Sequence, residues 1–311
     1  MRSKMRRSVI FCLILVVAVS LLAACAPSTK KTVSFPIEVT DQLGRVVKLE
    51  KIPERIISFA PSNTEILFAL GLGDKVVAVT DYGDYPLEAK EKPSIGGFST
   101  PNIEEVVAHS PDLILATSMH ESKIIPHLEE RGMAVLALNP RTLDEILAAI
   151  ILVGTVTAKE EAASQLVARM QSRIKAVADK TDSLLEAQRL RVFYLVWHDP
   201  LMTAGLGTFH NELIQLAGGT NVARDLTGYA AIELEAVIAA NPQVMIAGVT
   251  HGTDEDLTFQ LIKTELRLRE TEARRGNRIY GIDGNLTSRP GPRIVDALEK
   301  FAEFIHSELF K

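Results

Sequence analysis

Between Thr142 and Glu186 the apolar residues recur at spacings of three and four. Ala162, Ala163, Leu166, Val167, Met170, Ile174 and Val177 make one stripe, while Glu160, Glu161, Arg169, Arg173 and Lys180 fall mostly elsewhere. That period predicts an amphipathic helix with one buried face. Two capping-box signatures, Thr142 with Glu145 and Thr157 with Glu160, divide the stretch into two successive helices, because each places a hydroxyl three residues before a carboxylate. No proline or glycine interrupts the chain from Lys159 to Leu185. At about 1.5 Å per residue the second helix runs roughly 40 Å, more than one small domain needs. It reads as a strut with something at each end.

On either side the pattern changes to short apolar runs divided by helical segments. Ile37, Val39, Val46, Val47 and Leu49 alternate around Asp41 to Gly44, which predicts a hairpin. Arg55 to Ala60 then reads as a buried strand, Pro61 to Leu70 as a helix, Val76 to Thr80 as a strand and Ile103 to His109 as a helix. Leu113 to Ala116 and Val135 to Leu138 are further strands around a helix from Ile124 to Arg131. Past the strut the alternation resumes at Arg191 to Val196 and closes on an amphipathic helix from Pro292 to Phe310. Ile103–Ala116 (IEEVVAHSPDLILA) and Leu234–Ala247 (LEAVIAANPQVMIA) repeat each other, matching at Glu104 with Glu235 and at Pro111 with Pro242. Strands alternating with helices imply mostly parallel sheets covered on both faces. The expected fold is α/β: two Rossmann-like lobes, residues 36–141 and 189–311, bridged by connecting helices over 142–188 with one long backbone helix.

The first 25 residues differ in kind. Arg2, Lys4, Arg6 and Arg7 precede an apolar run from Val9 to Leu22 that ends in Leu22, Ala23, Ala24 and Cys25, a signal peptide with a lipobox at which Cys25 is lipidated. An uncleaved anchor is the alternative reading of that run. Residues 26–35 are polar and form a tether. Removing the four cations leaves 30 Lys+Arg against 39 Asp+Glu, a formal net charge of −9, which argues against a nucleic-acid partner. Cys12 and Cys25 are the two cysteines of the chain, so the folded part has no disulfide, thiolate metal site or cysteine nucleophile.

In open parallel sheets ligands bind beyond the carboxyl ends of the strands, so two such lobes would face each other across a cleft lined by those loops. Tyr82, Tyr85 and Phe98 fall there in the first lobe, and Trp197, Met202, Tyr229, Asn285 and Arg289 in the second. Aromatics make up only 5% of the chain, yet its one Trp and three of its five Tyr sit in these loops, as walls for a broad, flat ligand would require. Each aromatic can equally plug the edge of its own lobe. His120, His198 and His251 also follow strands and could ligate a metal held inside a ligand, or serve as polar rim residues. There is no GxSxG elbow, HExxH pair or phosphate-cradling loop, so a metal-dependent hydrolase finds little support.

The lipobox, the RIISFAPSNTEILFALGLGDKVVAVTDY opening, the NIEEVVAHSPDLILA block with its echo and the ending SRPGPRIVDALEKF together resemble the cobalamin-binding proteins of ABC importers. These belong to the class that also binds haem and ferric siderophores. The resemblance implies a non-catalytic, monomeric capture protein, without a cofactor or resident metal of its own, held outside the cytoplasm on a membrane surface by its lipid. It would hand a corrinoid to a permease dimer driven by a cytoplasmic ATPase; haem or a ferric siderophore is the alternative cargo. By position Tyr82, Phe98, Met202, Tyr229, Asn285 and Arg289 align with corrin contacts, although Phe98 and Tyr229 stand where the family's best-known member has tryptophan, and Asn285 where it has aspartate. Glu104 and Glu235 align with the acidic knobs that dock into arginine pockets of the permease. Helix dipoles alone also favour glutamate at both positions.

Overall fold

A computed structural model describes residues 34–249 and 256–310. The signal segment with Cys25, most of the tether, Thr250 and His251 lie outside them. The described chain opens with the expected hairpin, β1 (Ile37–Thr40) antiparallel to β2 (Val46–Leu49). Its turn is fixed by the Asp41 carboxylate, which accepts from the N–H groups of Leu43, Arg45 and Ala137. The last of these bonds ties the hairpin to the edge of the first sheet.

That sheet is made by β3 (Ile56–Ser58), β4 (Val76–Val79), β5 (Leu113–Ala116) and β6 (Val135–Ala137) in the order β4-β3-β5-β6. Every neighbouring pair is parallel. Each crossover carries a helix: α1 (Pro61–Ala69), α2 (Ile103–Ala108) and α3 (Ile124–Glu129). Proline at the first turn starts α1 without losing a bonded N–H, and the Asn102 side chain caps α2 by accepting from the Glu104 and Glu105 N–H groups.

The connecting region forms two successive helices, as expected. The helices α4 (Leu143–Val156) and α5 (Glu160–Thr181) meet at Ala158, which takes a left-handed φ of 53°. The Thr142 cap is as expected, with its hydroxyl accepting from the Glu145 N–H at 3.2 Å. The second capping box does not form. Thr157 instead closes α4 by donating to the Val153 carbonyl at 2.6 Å, and Lys159, with no side-chain cap, precedes α5. The chain then folds back. Leu143 N–H, at the start of α4, reaches Glu212, whereas Thr181, at the end of α5, donates to the Leu216 carbonyl. Both partners lie on one helix, α6 (Phe209–Leu216). The rod is thus α5 alone, 22 residues or roughly 33 Å, ending four residues before Leu185.

In the second half a parallel set is formed by β7 (Leu190–His198), β9 (Gly219–Asn221), β11 (Val244–Val249) and β12 (Ile279–Asp283). The antiparallel strands β8 (Leu201–Ala204) and β10 (Tyr229–Ala231) extend it, in the order β10-β8-β7-β11-β12 with β9 beside β7. Its helices are α6, α7 (Leu234–Ala240), α8 (Leu257–Thr264), α9 (Glu272–Arg275), α10 (Gly284–Thr287) and α11 (Ile294–Ile305). Met202 and Tyr229, expected in loops, therefore stand on strands; at four and three residues these are too short to declare a period of two. The repeat reaches the backbone, because Ser110 after α2 and Asn241 after α7 share a left-handed φ of 46° and 45°.

Each sheet has a private apolar layer on one face, around Phe59 and Ile114 in the first and Phe193 and Met245 in the second. The opposite faces belong to one common core that runs from Ile56, Ile66 and Leu136 through Ile150, Leu166 and Met170 to Tyr194, Ile246 and Phe301. The halves are joined by this shared packing as well as by the rod.

The cleft between the halves as a candidate ligand site

The carboxyl ends of the first sheet meet the segment between α10 and α11 of the second half through charge. Arg289 Nη1 lies 2.6 Å from Asp84 and 3.5 Å from Glu65. Arg293 donates to both oxygens of Glu65, at 2.9 and 2.5 Å, and its guanidinium carbon sits 3.8 Å from the centre of the Tyr85 ring. The Glu65 side chain is 1% exposed and that of Arg289 8%. A buried carboxylate held by two guanidiniums with a third acceptor alongside is a closed ionic unit. Burial pushes the Asp84 carboxyl up, but the hydrogen bond and charge of Arg289 outweigh it and the net direction is down. Arg289, expected at the ligand, is engaged between the halves instead, and Tyr85 gives one face to Arg293.

Among the described residues the aromatics classed as exposed are Tyr82 (56%), Tyr85 (45%), Trp197 (50%) and Tyr229 (47%). Tyr82 and Tyr85 follow β4 and Tyr229 stands on β10, whereas Trp197, expected with His198 in a loop, stands at the end of β7 itself. Phe98 is half-buried next to them in sequence order of the first half. The Trp197 indole N–H donates to the Asp199 carbonyl at 2.7 Å, so this side chain offers a ring surface rather than a donor. Met202 sits opposite Trp197 on β8 and is half-buried. Asn285 is half-buried, with its backbone N–H held by Asp283 at 2.9 Å.

The histidines are distributed differently from expectation. His120 has no exposed surface, and both its ring nitrogens are occupied: Nδ1 accepts from the Thr117 N–H at 3.1 Å, and Nε2 donates to the Phe98 carbonyl at 2.7 Å. It is no cleft ligand, and burial lowers its pKa. His198 is half-buried against Trp197, ring centres 4.7 Å apart, with Nδ1 3.3 Å from the Thr258 hydroxyl. No group of three or more metal-ligating side chains occurs among the described residues.

His210 escaped the sequence reading altogether. It is 3% exposed, stacked between Tyr194 (4.5 Å) and Phe209 (4.3 Å), with Nδ1 3.1 Å from the Tyr229 hydroxyl. Glu65 and Arg293 were also missed. The one signal was the pair of arginines flanking Pro290–Pro292, which says nothing about partners more than 200 positions away.

On the outer surface Glu104 and Glu235 occupy the first turns of the equivalent helices α2 and α7, and both are exposed. Glu235 lies 3.3 Å from Arg267, whereas Glu104 forms no ion pair among the described residues.

Two α/β halves with a long connecting helix define the fold of a substrate-binding protein of the helical-backbone class. The chain belongs to the periplasmic binding protein family, whose model matches residues 56–286. It is 33% identical over 313 residues, 96% of each chain, to an uncharacterised ABC transporter substrate-binding lipoprotein of Bacillus subtilis. The crystal structure of the periplasmic vitamin B12 binding protein of Vibrio cholerae superposes with a TM-score of 0.69 at 29% identity, covering 83% of this chain and 98% of that one. A periplasmic heme-binding protein from Roseiflexus reaches 0.71 at 26% identity, covering 82% and 99%. Among the described residues no helix is long and apolar enough to cross a membrane.

Proposed function

We propose that this protein captures cobalamin or a related corrinoid in the cleft between its halves and delivers it to an ABC permease without transforming it. The observation that carries this reading is the placement of Tyr82, Tyr85, Trp197 and Tyr229. These are the exposed aromatics of the described chain, two following β4 in the first half and two on β7 and β10 in the second. Flat apolar surfaces supplied by both halves suit a macrocycle whose faces are apolar and whose rim is polar. The likeness to the Vibrio cholerae protein supports the same ligand class. Haem is the rival cargo, favoured by the likeness to the Roseiflexus protein.

Delivery rests on Glu104 and Glu235. An internal repeat gives approximate two-fold symmetry, so equivalent carboxylates meet equivalent cations on a two-fold symmetric permease, and the pairing sets orientation and on-rate more than affinity. Lipid on Cys25 keeps the protein at the membrane surface outside the cytoplasm.

The deciding experiment is titration of the purified protein with cyanocobalamin, haemin and a ferric siderophore, followed by calorimetry and absorbance. One-to-one binding of cyanocobalamin in preference to the other two is expected. Saturable haemin binding with a Soret shift, and none for the corrinoid, would replace the reading by haem capture.

A further inference from the structure

Each half contains a buried histidine in contact with one cleft aromatic. In the first, His120 holds the Phe98 carbonyl at 2.7 Å and meets the Phe98 ring edge-on, ring centres 5.5 Å apart. In the second, His210 stands 3.1 Å from the Tyr229 hydroxyl and meets that ring edge-on at 5.6 Å. Phe59 backs His120 at 5.2 Å, as Tyr194 and Phe209 back His210. We propose that His120 and His210 are positioning residues, one per half, which as neutral imidazoles fix Phe98 and Tyr229 so that the cleft offers preformed flat walls. This rests on the cleft being the ligand site described above.

The chemistry is specific to the uncharged ring. A neutral imidazole has one donor and one acceptor. In His120 the Thr117 N–H takes the acceptor, which leaves Nε2–H for Phe98. In His210 Nε2 is buried without a hydrogen-bond partner, and the Nε2–H tautomer leaves Nδ1, 3.1 Å from the Tyr229 hydroxyl, as the acceptor. None of the rings in contact with His210 carries a charge, and burial keeps it neutral at physiological pH.

Two consequences follow for the cargo. The Tyr229 hydroxyl is committed to His210 and neither nitrogen of His120 is free, so these groups offer the ligand ring surface and not metal coordination. A wall fixed beforehand also loses less side-chain entropy when the ligand arrives.

The test has a ligand-free arm and a binding arm. In the unliganded protein, nitrogen NMR should show His210 as the Nε2–H tautomer, with a slowly exchanging Tyr229 hydroxyl proton whose signal disappears in Tyr229→Phe. In titrations with cyanocobalamin, His210→Phe should weaken binding roughly 3- to 10-fold, the range expected for one hydrogen bond and chiefly through dissociation. Tyr229→Phe should lose a similar factor, the double variant no more than either alone, and His210→Gln should recover part of the loss. Additive losses in the double variant, or unchanged affinity in His210→Phe, would overturn the proposal. Should His210→Phe fail to fold, His210→Gln with Tyr229→Phe completes the same cycle. If the wild-type protein binds neither cobalamin nor haemin, the functional reading fails by itself and the ligand-free spectra decide the positioning role. An Nδ1–H tautomer there would refute it.

Discussion

Arg289 reaches from the second half to the Asp84 carboxylate of the first at 2.6 Å, across 205 positions of sequence. With Arg293 on Glu65 it makes a latch between the halves. Halves linked by charge, by a shared apolar core and by one helix have little freedom to hinge. Ligand-free and cobalamin-bound scattering curves are therefore expected to differ by no more than about 1 Å in radius of gyration. A large compaction would show that the latch opens.

Replacing Glu65 by Gln leaves two guanidiniums facing a neutral amide in a buried setting. Loss of one partner from such a cluster costs about 3 kcal/mol. Urea unfolding should show that loss, and hydrogen exchange should quicken in the Tyr82–Pro86 segment. An unchanged midpoint would mean that the ion cluster does not hold the halves.

Burial pushes the pKa of His210 from 6.5 down to about 3. Between those values the unfolded chain binds a proton that the folded chain refuses, so the stability this group permits is full above about pH 6.5 and falls as the pH drops. The slope is about 1.4 kcal/mol per pH unit. His120, shifted in the same direction by burial, adds to it. Urea midpoints at pH 7 and pH 5 should fall steeply for the wild type and less so for His210→Gln; equal slopes would contradict a neutral buried ring.

Trp197 and Tyr82 are half-exposed, so replacing either by Ala should leave thermal stability nearly unchanged while weakening cobalamin binding about tenfold or more, as for truncated aromatic anchors at interfaces. Calorimetry on each variant measures this. Loss of stability without loss of affinity would make these rings plugs of their own halves.

Glu104→Ala combined with Glu235→Ala is expected to abolish uptake in whole cells with ligand affinity intact. The Arg267 side chain lies 3.3 Å from Glu235 in an exposed pair, which is weak enough for a permease arginine to displace. Retained uptake in the double variant would remove the docking role.

A Cβ added at Gly154 would stand 2.4 Å from the Ala163 Cβ, so the fold-back of α4 on α5 depends on the missing side chain. Gly154→Ala should destabilise the protein by about 1–3 kcal/mol, read from the urea midpoint.

Much of this architecture was legible beforehand. Apolar runs marked β3, β5, β7 and β11, and the stripe from Ala162 to Val177 marked α5, because strands and amphipathic helices are written in local period. The Glu104–Glu235 repeat announced two equivalent halves. Less legible was the connection: Thr157 matched a helix start in sequence and served as a helix end, since a hydroxyl can accept from the N–H ahead or donate to the carbonyl behind.

Sequence alone determined the alternation of strands and helices and the duplication, both of which are written in short segments of the chain. Only the tertiary structure decided which side chains remain available to a ligand. Arg289 turned to Asp84 and Glu65, His120 to the Phe98 carbonyl, and His210 to Tyr229. A buried polar group must find a partner wherever the packed chain brings one, and for Arg289 that partner lay 205 residues away, beyond the reach of any local pattern.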